Sequence, residues 1–241
     1  MLKFLRIFAP LLILVVLVWM VLAQIAKRRT EGIREPDAPP PPFDARFEWI
    51  DPLEGARVPL AVRFDSPLGA ENGALAYNAQ PFRENNHLGD DLNGIGGGDS
   101  DLGDPVFAAA DGLVTFAGDA GPGWGNVIMV AHAVEDGSRP GGRRLIQSLY
   151  AHLSEIAAIS GSDVRRGERL GAVGTAGGRY KAHLHFEIIE SPIVHPGPGY
   201  HQENRCRVSP SAFLKAHRGA PDDQLNPPPP MLREPIIEIG E

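Results

Sequence analysis

From residue 104 onward the chain alternates short apolar runs with glycine: "PVFAAADG", "LVTFAGDAGPGWG", "NVIMVAH", "RLIQSLYAHL", "DVRRGERLGAVGTAGG" and "AHLHFEII". Apolar runs of about 5–6 residues closed by turn-forming residues are strand-length. The pattern predicts a mostly β domain, an antiparallel sheet or sandwich, and not an alternation of strands with helices. "ADG" at 110–112 reads as a hairpin turn between two such strands. "RRGERLGAVGTAGG" predicts two small strands around Gly167 and then a turn in which Gly174, Gly177 and Gly178 supply backbone freedom. "HLSEIAAI", residues 152–159, reads as one short helical turn, and no fixed-period repeat is present.

The turn after Gly178 delivers the chain into "KAHLHFEIIE", residues 181–190. On a strand, residues two apart share a face, so His183 and His185 stand side by side while Leu184 and Phe186 pack on the other face. Two imidazoles on one rigid face suit a metal ion, or one ligand beside one base. Glu187 shares that face, either as an acceptor orienting a ligand histidine or as a solvated strand residue. Two further segments carry compatible chemistry. "NNHLGDDLNG" holds His87 and Asp91 around Gly89, which would let a loop turn so that imidazole and carboxylate converge. Asp90 competes with Asp91, and the HxGxD spacing favours Asp91. "LYAHLS" ends a predicted strand on His152.

The N-terminus has a different pattern. Between Arg6 and Lys27 lie twenty consecutive uncharged residues, "IFAPLLILVVLVWMVLAQIA". A helix of that length spans roughly 30 Å, the thickness of a bilayer core. Residues 1–26 are therefore expected to form an N-terminal transmembrane helix, with a cleaved signal segment ending at "VLA" as the competing reading. Basic residues flank both ends of the apolar run and leave its orientation open. Residues 27–74 read as a linker and lead-in whose Pro39–Pro42 run forms an extended spacer. A domain over 75–217 follows, and 218–241 form a second Pro-rich tail.

Composition narrows the chemistry further. A net charge of −7 and an isoelectric point near 5.6 argue against binding nucleic acid by phosphate neutralisation. The single cysteine, Cys206, excludes an intrachain disulfide and a Cys-rich zinc site, so a metal must be held by histidine and carboxylate. Cys206 itself reads as a small packing residue. Asp99, Asp101 and Asp104 sit in "LNGIGGGDSDLGDP", whose spacing fails the EF-hand pattern and which reads as a loop at the rim of a cleft. His132 reads as a strand-end residue near the site and not as a ligand; His195, His201 and His217 fall after the motif-bearing region.

HLGDD, then YAHL, then GTAGG leading into HLHFEI resembles, in order and chemistry, the lysostaphin-like or LytM-type zinc metallopeptidases, which cleave peptide cross-links of bacterial peptidoglycan. The resemblance covers about residues 78–190. Position by position it implies His87, Asp91 and His185 as ligands of Zn2+, with His152 and His183 lining the active site without binding metal. One of these two would move the water's proton and the other stabilise the oxyanion, in either assignment. The expected activity is a zinc endopeptidase acting on peptidoglycan, tethered to the bacterial inner membrane with its domain outside the cytoplasm, or secreted if the first segment is removed. Two other readings accompany it: a non-catalytic peptidoglycan-binding regulator of another hydrolase, and a zinc peptidase with a protein substrate. A regulatory protein partner is compatible with each.

Overall fold

The long hairpin of β5 (Asn126–Glu135) and β6 (Arg143–Leu153) is the spine of the protein, and alternation along it decides which side chains face which layer. The computed structural model describes residues 49–69, 75–139 and 141–219. The apolar segment 7–26, the Pro39–Pro42 spacer and all but the first two residues of the 218–241 tail lie outside the described residues. Among the described residues no helix is long and apolar enough to cross a membrane.

Eight strands form one antiparallel sheet in the order β1 (Ala76–Gln80), β2 (Asp90–Gly94), β10 (Leu184–Ile189), β6, β5, β4 (Gly112–Asp119) and β8 (Asp163–Val164). β11 (Arg207–Val208) pairs with the end of β10 that β2 leaves free. A smaller antiparallel sheet holds β3 (Pro105–Phe107), β9 (Arg169–Ala172) and β7 (Glu155–Ile156) in the order β3-β9-β7. The expected mostly β, antiparallel architecture is what the structure contains. Two short helices flank it, α1 (Pro52–Arg57) and α2 (Pro210–Ala216). Each is opened by a side-chain cap, Asp51 and Ser209, followed by proline at the first helical position, where a missing N–H is harmless.

Both faces of the central strands are covered, and period 2 sorts their residues between two cores. Ile128 and Val130 of β5, Ile146 and Tyr150 of β6, and Leu184, Phe186 and Ile188 of β10 face one core, which also contains Val106 of β3 and Leu170 of β9. Val127, Met129 and Ala131 of β5 with Leu149 and Ala151 of β6 face the other, capped by Ile50, Val58, Trp124 and Val194. His183, His185 and Glu187 alternate with Leu184 and Phe186 and so belong to this second face, as the two-residue spacing predicts.

Four local expectations need correction. "ADG" is a bend between sheets and not a hairpin turn, because β3 pairs with β9 whereas β4 pairs with β5 and β8. Gly112 is required there by close approach: a Cβ would lie 2.4 Å from the Ala131 carbonyl oxygen. Residues 152–159 form no helical turn, since Glu155 and Ile156 pair with Ala172 and Gly171 of β9. His132 lies within β5, fully buried against the edge of the Phe64 ring, and is not at the site. Its Nδ1 meets the Asp111 carbonyl oxygen at 2.8 Å and its Nε2 meets Ser148 Oγ at 2.7 Å. Cys206 is exposed in a positive-φ turn and packs into neither core.

The described part of the lead-in, 49–69, is integral to the packing. Ile50 and Val58 fill the second core, Phe64 and Leu68 the first, and Phe64 packs edge-on to His132 and Phe213. Removing a buried phenylalanine side chain typically costs about 3–5 kcal/mol. Phe64→Ala is therefore expected to lower unfolding free energy by that amount in a urea titration.

Burial holds the His132 pKa down to about 4. The unfolded histidine titrates near its ordinary value of about 6.5, so between those pH values the unfolded chain binds more protons than the folded one. Stability from this group is complete above about pH 6.5 and falls as pH drops toward about 4, by on the order of 3 kcal/mol. His132→Asn should show a shallower loss of stability across that window; an unchanged slope would contradict this origin.

Candidate metal centre

β2 runs antiparallel to β10 with Asp91 directly opposite His185. His87 enters from the turn before β2, where it bridges to Tyr200. Gly89 lets the HLGD segment lie against β10, but not through unusual backbone angles: a Cβ there would stand 2.6 Å from the Phe186 carbonyl oxygen and 2.9 Å from His185 Cε1. The resulting convergence is tight. His87 Nε2 lies 2.9 Å from His185 Nδ1 and 3.2 Å from Asp91 Oδ1, and His185 Nδ1 lies 3.0 Å from Asp91 Oδ1.

The outer atoms of the two imidazoles define what the inner ones offer. His87 Nδ1 faces the Gln80 carbonyl oxygen at 3.1 Å, and His185 Nε2 faces Glu187 Oε1 at 3.0 Å. Each outer nitrogen meets an acceptor and must carry a proton, so in the neutral rings His87 Nε2 and His185 Nδ1 are lone pairs. Three acceptors then point at one another in a buried space. Without a cation a proton must take its place: burial disfavours charge on His185, but Asp91 and Glu187 outweigh it and raise its pKa to about 9. Burial likewise opposes ionisation of Asp91, and its contacts with His185, foremost, and His87 overcome it and hold its carboxyl far below the ordinary range.

A divalent cation resolves the same conflict without a buried imidazolium. Ligands about 2.0–2.2 Å from a four-coordinate ion stand roughly 3.3 Å apart, close to the separations of these three atoms. Two nitrogens and one carboxylate oxygen are a zinc donor set, and three protein ligands leave a position open. Among the described residues, His87, Asp91 and His185 are the group whose ligand atoms converge in this way.

His152 and His183 lie beside the triad. Their rings are 4.8 Å apart, and His183 Nε2 is 3.7 Å from Asp91 Oδ1. His183 Nδ1 meets the Lys181 carbonyl oxygen at 2.8 Å and His152 Nδ1 the Trp124 carbonyl oxygen at 3.0 Å, which leaves Nε2 of each neutral ring as its proton-accepting atom. Burial, then the neighbouring charges of His185 and His183, keep the His152 pKa well below its ordinary value. His152 has φ of +65°, a left-handed conformation that costs a non-glycine residue free energy. Gly174 admits this turn by close approach, since a Cβ would lie 2.3 Å from the His152 carbonyl oxygen.

All five side chains singled out in the sequence meet here, and Asp90 does not. Its carboxylate accepts from Phe82 N at 2.8 Å and from Ser211 N at 2.9 Å, and it also bonds Ser211 Oγ. Glu187 is fully buried against His185, which decides between its two readings. Sequence reasoning passed over four contributors. Trp124 stacks on His152 and meets His185 edge-on, Tyr180 packs on His152, Tyr200 on His87, and Arg207 holds Glu187. The signal for Trp124 was its place in "GWG", between glycines with φ of +88° and +62°.

Peptidase family M23 matches residues 93–196. Lipoprotein NlpD of Yersinia enterocolitica is 31% identical over 86 residues, 36% of this chain and 77% of that protein. The chain belongs to peptidase family M23. Two other members are similar over a comparable stretch. The DD-carboxypeptidase/endopeptidase Mpg of Neisseria meningitidis serogroup B is 44% identical over 95 residues, 39% of this chain and 19% of that protein. The murein hydrolase activator NlpD of Escherichia coli is 31% identical over 86 residues, 36% of this chain and 20% of that protein. The chain thus spans about a fifth of the length of these last two relatives. The M23 match contains His152, His183 and His185 and begins two residues after Asp91, so the case for His87 and Asp91 rests on the geometry above.

Titrating metal-stripped protein with Zn2+ is expected to saturate at one ion per chain. Free zinc at a hundred times its Kd should add about 2.7 kcal/mol to unfolding free energy. Asp91→Ala should lose that gain when urea unfolding is compared with and without zinc.

Proposed function

We propose that the protein is a zinc-dependent endopeptidase that hydrolyses peptide cross-links of bacterial peptidoglycan, with His87, Asp91 and His185 holding the ion and His152 and His183 moving protons. The observation that carries this reading is the convergence of three lone-pair donors at 2.9–3.2 Å beside two further imidazoles. Membership of family M23 supports a hydrolase, and the relative named DD-carboxypeptidase/endopeptidase supports the bond type.

His87, Asp91 and His185 would hold the ion, which would supply Lewis-acid activation of water and of the scissile carbonyl. The chain's own residues do the rest. His152 and His183 both have Nδ1 engaged by a backbone carbonyl, so each can accept a proton only at Nε2 and return it from there to the leaving amine. The carbonyl contacts also fix both ring planes, so neither imidazole must be ordered when substrate arrives. Trp124 and Tyr180 press on His152 from their own segments and limit its rotation.

The segment 7–26 and the proline spacer fit a domain tethered to the bacterial inner membrane and working outside the cytoplasm, with residues 75–217 and the docked 49–69 as the catalytic unit. A second reading follows from the relative named murein hydrolase activator: the same domain binds peptidoglycan and switches on another hydrolase. The complete set of candidate ligands favours the enzyme.

Purified full-length protein, in detergent with zinc and isolated peptidoglycan, is expected to release fragments with new amine ends, detected by mass spectrometry. His152→Ala and His183→Ala should each lower kcat by about 10²–10⁴-fold, the usual worth of a proton-transfer group, while still binding one zinc. Intact cross-links with zinc-loaded wild-type protein would discard the enzyme reading in favour of the activator.

A further inference from the structure

We infer that Arg207 is a positioning residue for the metal centre, holding His185 through Glu187 and holding the segment 196–201, which carries Tyr200, over His87. The inference rests on the metal-binding reading above. Arg207 lies beyond the stretch that matches family M23, on β11.

Glu187 is fully buried and Arg207 nearly so. Arg207 Nε donates to Glu187 Oε2 at 2.8 Å, and Glu187 Oε1 accepts from His185 Nε2 at 3.0 Å. A buried carboxylate is costly to desolvate unless it is paired and hydrogen-bonded, and the guanidinium supplies that pairing. The guanidinium fixes Glu187 Oε2 and so aims Oε1 at His185 Nε2, which holds the ring with Nδ1 turned toward His87 and Asp91.

The same guanidinium fastens a second structure. Its Nη1 donates to the Arg205 carbonyl oxygen at 2.9 Å and its Nη2 to the Pro196 carbonyl oxygen. Gly197 lies directly on it, with φ of +60°, and a Cβ there would stand 2.9 Å from Nη2. From this anchor the chain crosses the site. The Gly197 carbonyl oxygen accepts from Trp124 Nε1 at 3.1 Å and the Gly199 carbonyl oxygen from Leu88 N at 2.9 Å, and the Tyr200 ring lies 4.9 Å from the ring of His87. One planar side chain therefore sets a ligand on each side of the centre. Lysine offers no such fork, so it cannot hold Glu187 and two carbonyls in that plane together.

The test uses the full-length chain and reads zinc affinity by competition with a chelating dye, beside urea melts of each variant. Arg207→Lys and Glu187→Gln should each weaken zinc binding by about 10–100-fold, the range for residues that orient metal ligands. The double variant should lose no more than the worse single one, because both act through one relay. Val164→Ala, in a core position on β8, should lower stability and leave affinity unchanged. In zinc-loaded protein the His185 Nε2 proton should give a slowly exchanging NMR signal that moves in both variants. Glu187→Gln preserves shape, so it and the NMR signal decide the matter should Arg207→Lys fail to fold. Zinc affinities within twofold of wild type, or losses that multiply in the double variant, would overturn the inference. Tight zinc binding without peptidoglycan cleavage would sink the proposed function and leave this inference standing.

Discussion

The three-residue register between β2 and β10 is the constraint on which the site depends. Leu184 pairs with Leu92, His185 with Asp91 and Phe186 with Asp90. A slip of one residue would turn every side chain of one strand to the other face of the sheet, separating Asp91 from His185 and sending imidazole into the apolar core. The register is held by burial on both faces. Leu184 and Phe186 fill the core that contains residues of the small sheet, and β6 fixes the far side of β10 by pairing Ala151 with His185 and Tyr150 with Phe186. Rigidity of the ligand set is thus inherited from hydrophobic packing, and the loops contribute only His87.

The pleat also explains how two adjacent aspartates serve different ends. Asp91 faces the imidazoles while Asp90 faces the start of α2, accepting from the backbone of Ser211 and Phe82. Carboxylates near a helix start are favoured by its unpaired N–H groups. Each buried charge in this region has its own partner, Asp90 with backbone amides and Glu187 with Arg207. The exception is the inner triangle of His87, Asp91 and His185, whose three lone pairs are satisfied together by a cation or else by a buried imidazolium at His185.

Much of this was legible in the chain because period 2 survives burial. Alternation in "HLHFEI" placed His183, His185 and Glu187 on one face, and short glycine-bounded runs gave a mostly β fold. What failed was information about pairing. "ADG" reads as a hairpin because turn residues mark where a chain bends and not which strands then bond; β3 leaves for the second sheet. Glu155 and Ile156 look helical in isolation and become a strand because β9 offers an edge. Gly89 and Gly174 read as flexible positions, whereas each is needed so that another backbone can approach. Arg207 was invisible: a charged residue in a polar turn region gives no periodic signal, and its partner lies twenty residues away on a neighbouring strand.

The central claim, that this triangle of lone pairs is a metal site, is tested most directly by X-ray absorption at the zinc edge on protein loaded with one equivalent. The account predicts a shell of nitrogen and oxygen atoms at about 2.0–2.1 Å with outer-shell scattering from two imidazoles. Scattering from three or more imidazoles, a sulfur at about 2.3 Å, or a hydrated ion without imidazole would contradict it.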